Sequence, residues 1–373
     1  MQKWIWQRKN WTEFRWQDGL ILPKTRLIHK KMGVILGQSQ CTLDLDIENW
    51  FIENLVMELG ASFAIENESL NGSLLYASLA ESFEIKGGQS CKKDTYYENF
   101  GNLIFDLFNN TELPLTFERL MQWHQWLFST PQGKRQDFHI GELRRPGTIM
   151  QVVSGSADYL NIHFEAPPRN GLEEQLKAFI EWFNDSRTDV LLDPLLRAAI
   201  THLWFVTMHP FEDGNGRMTR LLTHLALAQV DPSSIRCYAM SPIIFVRRES
   251  YYEILERSQK GHTDITGWLV WFLDTLDESL EATLKHIQPV LLKNQFWQKN
   301  ANLDLHESQR EVLDYLIDKS AKGHESEVST AEYQKIAKVS KATATRHLTD
   351  LLDKGCLNKL ESGGRSTRYQ LSC

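Results

Sequence analysis

The apolar run "AAITHLWFVTM", Ala198–Met208, gives way without transition to "HPFEDGNGR", His209–Arg217. A helix that apolar on every side must be buried. Pro210 disfavours the helical conformation of the residue before it, so the helix stops near Met208. Gly214 and Gly216 open backbone conformations closed to other residues. After them "RMTRLLTHLALAQV" resumes leucines at helical spacing. The chain must therefore fold around two buried helices joined by a short polar loop.

The loop reads as an anion site. The first N–H groups of a helix have no intrahelical partner and favour negative charge, and glycines let them converge on a phosphate. Arg217 and Arg220 lie three residues apart and project from one side of the second helix. Two cations at a helix start oppose the macrodipole unless an anion compensates. Asp213 offers a carboxylate for a magnesium ion shared with phosphate oxygens. His209 is the side chain suited to taking a proton near neutral pH. Together they point to a hydroxyl attacking a nucleotide phosphate. A plain turn between two helices is the bland alternative. Zinc held by His202, His209 and Asp213 lacks a ligand spacing, and no GxxxxGK[ST] or completed GxGxxG occurs.

Composition bounds the class. The chain has 373 residues, 42% hydrophobic and 24% charged, with a formal charge of −7. That is an ordinary globular composition with room for two or three domains, and it exerts no global pull toward nucleic acid or anionic membrane. Cys41, Cys91, Cys237, Cys356 and Cys373 are odd in number and never in a CxxC pair, which argues against a disulfide framework or structural zinc. No apolar run reaches the roughly 18 residues of a membrane span, and "MQKWIWQRKNW" lacks a signal-peptide core. The expectation is a reducing cytoplasm.

Most of the chain reads as helix, giving a mainly α fold. "LEEQLKAFIEWFND" places Leu172, Leu176, Phe179, Ile180 and Phe183 on one face, and "TFERLMQWHQWLF" behaves alike, with Thr116 as its cap. Two helices broken near Gly261 follow the loop region. "IKGGQSCKKD", Ile85–Asp94, reads as an exposed connector. The apolar period weakens over Leu292–Gln309. These breaks predict an N-terminal helical domain over 1–90, a core over 91–290, a linker over 291–305 and a last module over 306–373. One segment departs from helix: Ile149–Val153 and Leu160–Phe164 are β-rich around a Ser-Gly-Ser turn. That hairpin is either a decorative flap or an edge to which an extended peptide could add.

"HPFEDGNGRMTR" resembles the signature of the Fic (filamentation induced by cAMP) family, HPFx[D/E]GNGRxxR, with every fixed position present. The resemblance extends to "GELR" (Gly141–Arg144), the hairpin, Pro167–Pro168 and "YYEIL", and covers about Tyr96 to Ile287. It implies transfer of AMP from ATP, with Mg2+, to a hydroxyl of a target protein docked on the 149–164 hairpin. His209 would be the base and Asp213 the metal ligand. Gly214, Asn215 and Gly216 would form the anion hole, Arg217 would bind the polyphosphate, and Arg220 would hold the γ-phosphate. "SFAIEN", Ser62–Asn67, resembles the family's inhibitory motif [ST]xxxE[GN], here N-terminal to the core, with Asn67 in place of the more frequent glycine. Glu66 would pair with Arg220 and block the γ-phosphate site. One guanidinium fork serves one bidentate partner at a time. Removal of AMP by a Glu66-positioned water, transfer of UMP or phosphocholine, and self-association are further expectations of the resemblance.

From His306 the character changes. "ESQREVLDYLID" reads as one helix, and "STAEYQKIAKVSKATATRHLTDLLDKGCL" as helix, turn, helix, with Ser329 and Glu332 forming a capping box. "LNKLESGGRSTRYQL" reads as a hairpin turning at Gly363–Gly364. The order resembles a winged helix-turn-helix, in which the second helix enters the major groove and the wing meets phosphate. Lys341, Thr343, Thr345 and Arg346 on that helix, with Arg365 and Arg368 on the wing, are the expected DNA contacts. Eight bases against four acids between Ser329 and the C-terminus make this module basic in an acidic chain. A DNA-binding regulator whose Fic core senses nucleotide is thus the alternative to an enzyme.

Overall fold

The structure, a computed structural model, describes residues 3–39, 44–85, 94–128, 138–147, 149–156, 159–229, 239–321, 324–360 and 367–372. It is mainly helical, as expected, and divides into two compact units: residues 1–36 with 47–281, and residues 37–46 with 282–373.

The first unit holds α1 (Asp18–Ser39), α2 (Asp44–Ile65), α3 (Gly72–Ser82), α4 (Thr95–Asn109), α5 (Phe117–Phe128), the β1–β2 hairpin (Gln151–Ser156, Tyr159–Glu165), α6 (Leu172–Asp185), α7 (Pro194–Met208), α8 (Asn215–Ala228), α9 (Ser241–Val246), α10 (Arg248–Lys260) and the start of α11 (Thr266–Lys299). At its centre α7 packs along α8. Every residue of α7 from Leu195 to Met208 is buried, and so are Asn215 and Arg217–Ala228 of α8. Asp193 caps α7 through the Leu195 N–H at 2.9 Å, with Pro194 in the first turn. Helix α6 buries Leu172, Leu176, Phe179 and Phe183 on the expected face. Thr116 caps α5 through the Arg119 N–H at 3.1 Å.

Residues on both sides of the boundary expected near residue 90 fall in this one compact unit, and α3 packs on α4 across it. Residues 86–93 of the expected connector lie outside the described residues. The tryptophan-rich start braces the hairpin. Trp4 is buried edge-to-face on Phe164 at 5.4 Å, and the Trp6 indole N–H donates to Glu165 O at 2.6 Å. The strands of the hairpin run further than the sequence suggests. Ser154, Gly155 and Ser156 belong to β1, paired with Asn161, Leu160 and Tyr159, so the Ser-Gly-Ser stretch is strand rather than turn. Residues 157–158, which join the strands, lie outside the described residues.

The second unit contains the end of α11, then α12 (Glu307–Ala321), β3 (Glu327–Ser329), α13 (Thr330–Ala337), α14 (Lys341–Asp353), β4 (Leu357–Lys359) and β5 (Arg368–Leu371). The strands form an antiparallel sheet in the order β3-β5-β4. Ser329 and Glu332 form the capping box, and Ser340 caps α14 through the Thr343 N–H at 3.2 Å. Val312, Leu316, Val328, Tyr333, Leu348 and Leu351 are in its core. The linker expected over 291–305 is helix as far as Lys299. Tertiary contacts hold it: Phe296 is buried in the core of this unit, and the Trp297 indole donates to Asp314 Oδ1 at 2.8 Å. Among the described residues no helix is long and apolar enough to cross a membrane.

Candidate active site

His209 ends α7 in the left-handed region, φ 51°. A non-glycine residue there carries strain of about 1 kcal/mol, which the surrounding loop must offset. Three arrangements hold it. Asn215 grips the Phe211 backbone twice, accepting its N–H at 2.9 Å and donating to its carbonyl at 2.8 Å. Arg144, buried, donates through Nε to His209 O at 2.9 Å and through Nη2 to Pro167 O at 2.5 Å, while its own N–H reaches Pro210 O. His124, on the buried face of α5, stacks on Phe211 at 4.0 Å. It accepts the Gly141 N–H on Nδ1 at 2.8 Å, so Nε2 carries the proton and donates to Asp213 O at 3.1 Å. Burial pushes the His124 pKa down to about 4, which keeps it neutral in that role. Arg145 fixes Glu212 on the outer side at 2.7 Å.

The His209 ring is itself oriented. A carbonyl can only accept, so Nδ1, 3.0 Å from Val206 O, carries the proton and Nε2 is left with its lone pair. Burial, with Arg144 nearby, holds its pKa below the ordinary histidine value. The imidazole is therefore a neutral base at neutral pH. His202 plays no such part: its two nitrogens meet Thr223 Oγ1 at 3.0 Å and Tyr251 Oη at 2.9 Å, so it is not available for zinc.

Gly214 caps α8 at φ 79°, a conformation that favours glycine, and a Cβ there would lie 2.5 Å from Phe128 Cε2. The N–H groups of the first turn of α8 thus open toward a cavity of about 740 Å³. His209, Asp213, Gly214, Asn215 and Gly216 line it from the loop, Val152, Ser154 and His163 from the hairpin, and Arg248, Tyr252 and Glu256 from α10. Asn215 contributes backbone only, since its side chain closes the loop. Asp213 is exposed at the rim. No cluster of three or more metal-binding side chains exists among the described residues. One exposed carboxylate beside a phosphate cradle nonetheless suits magnesium, which keeps waters and takes few protein ligands.

Arg220 is buried and bound from α2. Its Nε donates to Ser62 Oγ at 2.7 Å, and its Nη2 to Ser62 O at 2.8 Å and Glu66 Oε1 at 3.0 Å. The pairing extends beyond these residues. Glu58, Ser62 and Glu66 recur every four residues along α2 and its terminal turn, facing His224, Arg220 and Gly216 at the same interval on α8. Glu58, fully buried, meets His224 Nε2 at 2.8 Å and accepts from the Ser241 N–H and hydroxyl. Burial works to raise the Glu58 pKa, but His224 and Ser241 offset this and hold it below the ordinary range. Asn67 sits at φ 60° in the turn that ends α2, the conformation that explains why this position takes Gly or Asn. Its side chain accepts from Arg248 at 2.8 Å.

Sequence reasoning missed Glu68. Its Oε2 lies 2.7 Å from Arg217 Nη1, while Asp213 is a weak second partner at 3.5 Å. Arg217 is buried between the rings of Phe63 and Phe128. Arg217 Nε and Arg220 Nη1 are buried without a hydrogen-bond partner. His124 and Glu58 were missed as well. Each is a polar residue on an otherwise apolar face, and that was the available signal. The expected DNA contacts belong to the second unit. Lys341, Thr345 and Arg346 are exposed on α14, whereas Thr343 is engaged by Ser340 and Arg368 pairs with Glu327 at 3.0 Å. Arg365 lies outside the described residues.

Comparison with known proteins places this geometry. Residues 114–227 match the Fic/DOC family, and residues 4–85 match a domain of unknown function, DUF4172. The chain is 33% identical over 120 residues to protein adenylyltransferase Fic of Nematostella vectensis, which is 32% of this chain and 26% of that protein. It is 52% identical over 54 residues to protein adenylyltransferase fic-1 of Caenorhabditis elegans, covering 14% and 10%. The chain thus spans about a quarter or less of these relatives' lengths. A Fic family protein from Desulfovibrio desulfuricans G20 shares the fold at TM-score 0.51 and 19% identity, over 94% of this chain and 96% of that one. Fic-1 of C. elegans (aa134–508) does so at TM-score 0.51 and 20% identity, over 72% and 73%. The α7–loop–α8 centre, with the helices that frame it, is the part of the chain that matches the Fic/DOC family, over residues 114–227.

Proposed function

We propose that the protein is an adenylyltransferase, transferring AMP from ATP to a hydroxyl of a target protein and held in check by Glu66. His209 Nε2 takes the hydroxyl proton as the oxygen attacks the α-phosphate and pyrophosphate leaves. The first turn of α8 receives the phosphates through its backbone N–H groups, and Arg217 and Arg220 complete the cradle. Asp213 would hold magnesium, which neutralises phosphate charge. The target segment would add to the exposed β1–β2 edge above the cavity. The observation that carries the reading is Arg220: a buried arginine of α8 is held by Ser62 and the Glu66 carboxylate from α2, a pairing that a phosphate seeking the same guanidinium would have to displace. Glu68 acts on Arg217 as a second carboxylate in the same place.

The test uses ATP labelled on the α-phosphate, magnesium and cell lysate. The Glu66→Gly variant should label lysate protein, Glu66→Gly/His209→Ala should leave lysate protein unlabelled, and label on the γ-phosphate should stay off protein. Equal labelling by both variants would remove His209 from the mechanism.

The second unit supports an additional role. We read it as a winged helix that binds DNA, because Lys341, Thr345 and Arg346 project from α14 unengaged by other side chains in the hydrogen bonds described. Lys341→Ala/Arg346→Ala in the full chain should weaken a salt-sensitive shift of duplex DNA. No shift by the unaltered chain at low salt would exclude the role.

A further inference from the structure

A chain of three side chains, two on the hairpin and one on α10, has no place in the mechanism above. Ser154 Oγ lies 2.6 Å from His163 Nε2, and His163 Nδ1 lies 2.7 Å from Glu256 Oε2. Lys260 holds the other oxygen of Glu256, and its hydrogen bond keeps the carboxyl below its ordinary pKa. An ionised carboxylate only accepts, so Nδ1 must carry the proton. In the neutral imidazole Nε2 then accepts, and the Ser154 hydroxyl donates to it. This is the connectivity of a serine nucleophile, a histidine base and an acid that orients it.

The hairpin is built to make that contact. The register jumps between Val152↔Phe164 and Val153↔Ile162, so His163 is the extra residue of a β-bulge. A bulge re-aims the side chain it carries. Without it His163 would face Val153 across the ladder, in the register that Ile162 takes. With it the imidazole turns to Ser154 on one side and to α10 on the other. Trp4 and Trp6 hold the base of β2 through Phe164 and Glu165. Ser154 and His163 line the same cavity as His209 and the Gly214–Gly216 cradle.

We propose that Ser154 is an internal acceptor: a site on the protein's own flap that takes AMP, with His163 as its base and Glu256 as the residue that positions His163. The inference rests on the AMP-transfer reading. Ser154 Oγ forms a bond to the α-phosphorus of ATP, and the bond from that phosphorus to the β-phosphate oxygen breaks. Pyrophosphate leaves and the hydroxyl proton passes to His163 Nε2. The product is a phosphodiester at Ser154, on the strand where a target would pair, so modification of the flap competes with docking.

The experiment follows AMP incorporation into the full-length Glu66→Gly variant with ATP and magnesium, with lysate protein present as an external acceptor, by peptide mass spectrometry. AMP is expected on the peptide containing Ser154 and absent from it after the added change Ser154→Ala. Adding His163→Ala should slow incorporation there by roughly 10²–10⁴-fold, the range of general base catalysis. Adding Glu256→Gln should lower the rate constant while leaving the half-saturating ATP concentration unchanged, a split that loosening of the hairpin alone would not give. AMP found on other residues or on lysate protein with Ser154 unmodified, or equal rates with and without His163, overturns this inference and leaves AMP transfer standing. No AMP on any protein overturns the transfer reading and this inference with it.

Discussion

The Glu66 carboxylate lies directly over Gly216: a Cβ added at Gly216 would sit 2.3 Å from Glu66 Oε1. On the proposed reading, the residue that opens the cradle to phosphate also admits the Glu66 carboxylate. Gly216→Ala should therefore do two things. It should lower stability by about 1–3 kcal/mol, read as a fall in melting temperature, because the methyl meets only flexible side-chain ends but displaces the Glu66 carboxylate from Arg220. It should also fail to gain AMP transfer despite displacing Glu66, because the methyl intrudes on the cradle.

Glu68 should compete with nucleotide for Arg217. Its carboxylate is 46% exposed, so the pair is screened and contributes about 0.5 kcal/mol. In the Glu66→Gly background, Glu68→Gln should tighten ATP binding roughly twofold by calorimetry. Weaker binding would mean that Glu68 supports the site and does not block it.

Glu58 never reaches the cavity, yet it anchors the helix that delivers Glu66. Removing Glu58 leaves buried donors of Ser241 and His224 without their acceptor, which costs roughly 1–3 kcal/mol. Glu58→Ala should lower the melting temperature and, in the protein that remains folded, raise AMP transfer with Glu66 intact. Destabilisation with no rise in transfer would mean that Glu66 holds its place unaided.

How much of this was legible in sequence follows from the range of each interaction. The loop was readable because Pro210, Gly214 and Gly216 act on their own backbone. Helix α6 was readable because its burial repeats every three to four residues. Glu68 was not, since its partner lies far away in the chain and nothing local marks it. The helix through Lys299 was misread as a linker because "LKNQFWQKN" is irregular in pattern. Phe296 and Trp297 fix it by packing that no local period encodes. The β-bulge at His163 also emerges only when the two strands pair.

The pH dependence of transfer should carry the mark of His209. Burial lowers its folded pKa, so the neutral base persists to lower pH than an exposed histidine would allow. Activity of Glu66→Gly, as kcat/KM for ATP, should stay level as pH falls to about 6.5 and decline only below it. An acid limb at or above that value would assign the base to another group.

The central claim is that Glu66 restrains an otherwise competent site. The direct measurement is the rate at which α-phosphate label from ATP enters protein, for the unaltered chain and for Glu66→Gly at equal concentration. The account predicts a rise of about tenfold or more, the effect of freeing a charge-assisted bond worth at least 1.4 kcal/mol. A Glu66→Gly protein that folds, binds ATP and labels no faster than the unaltered chain would contradict it.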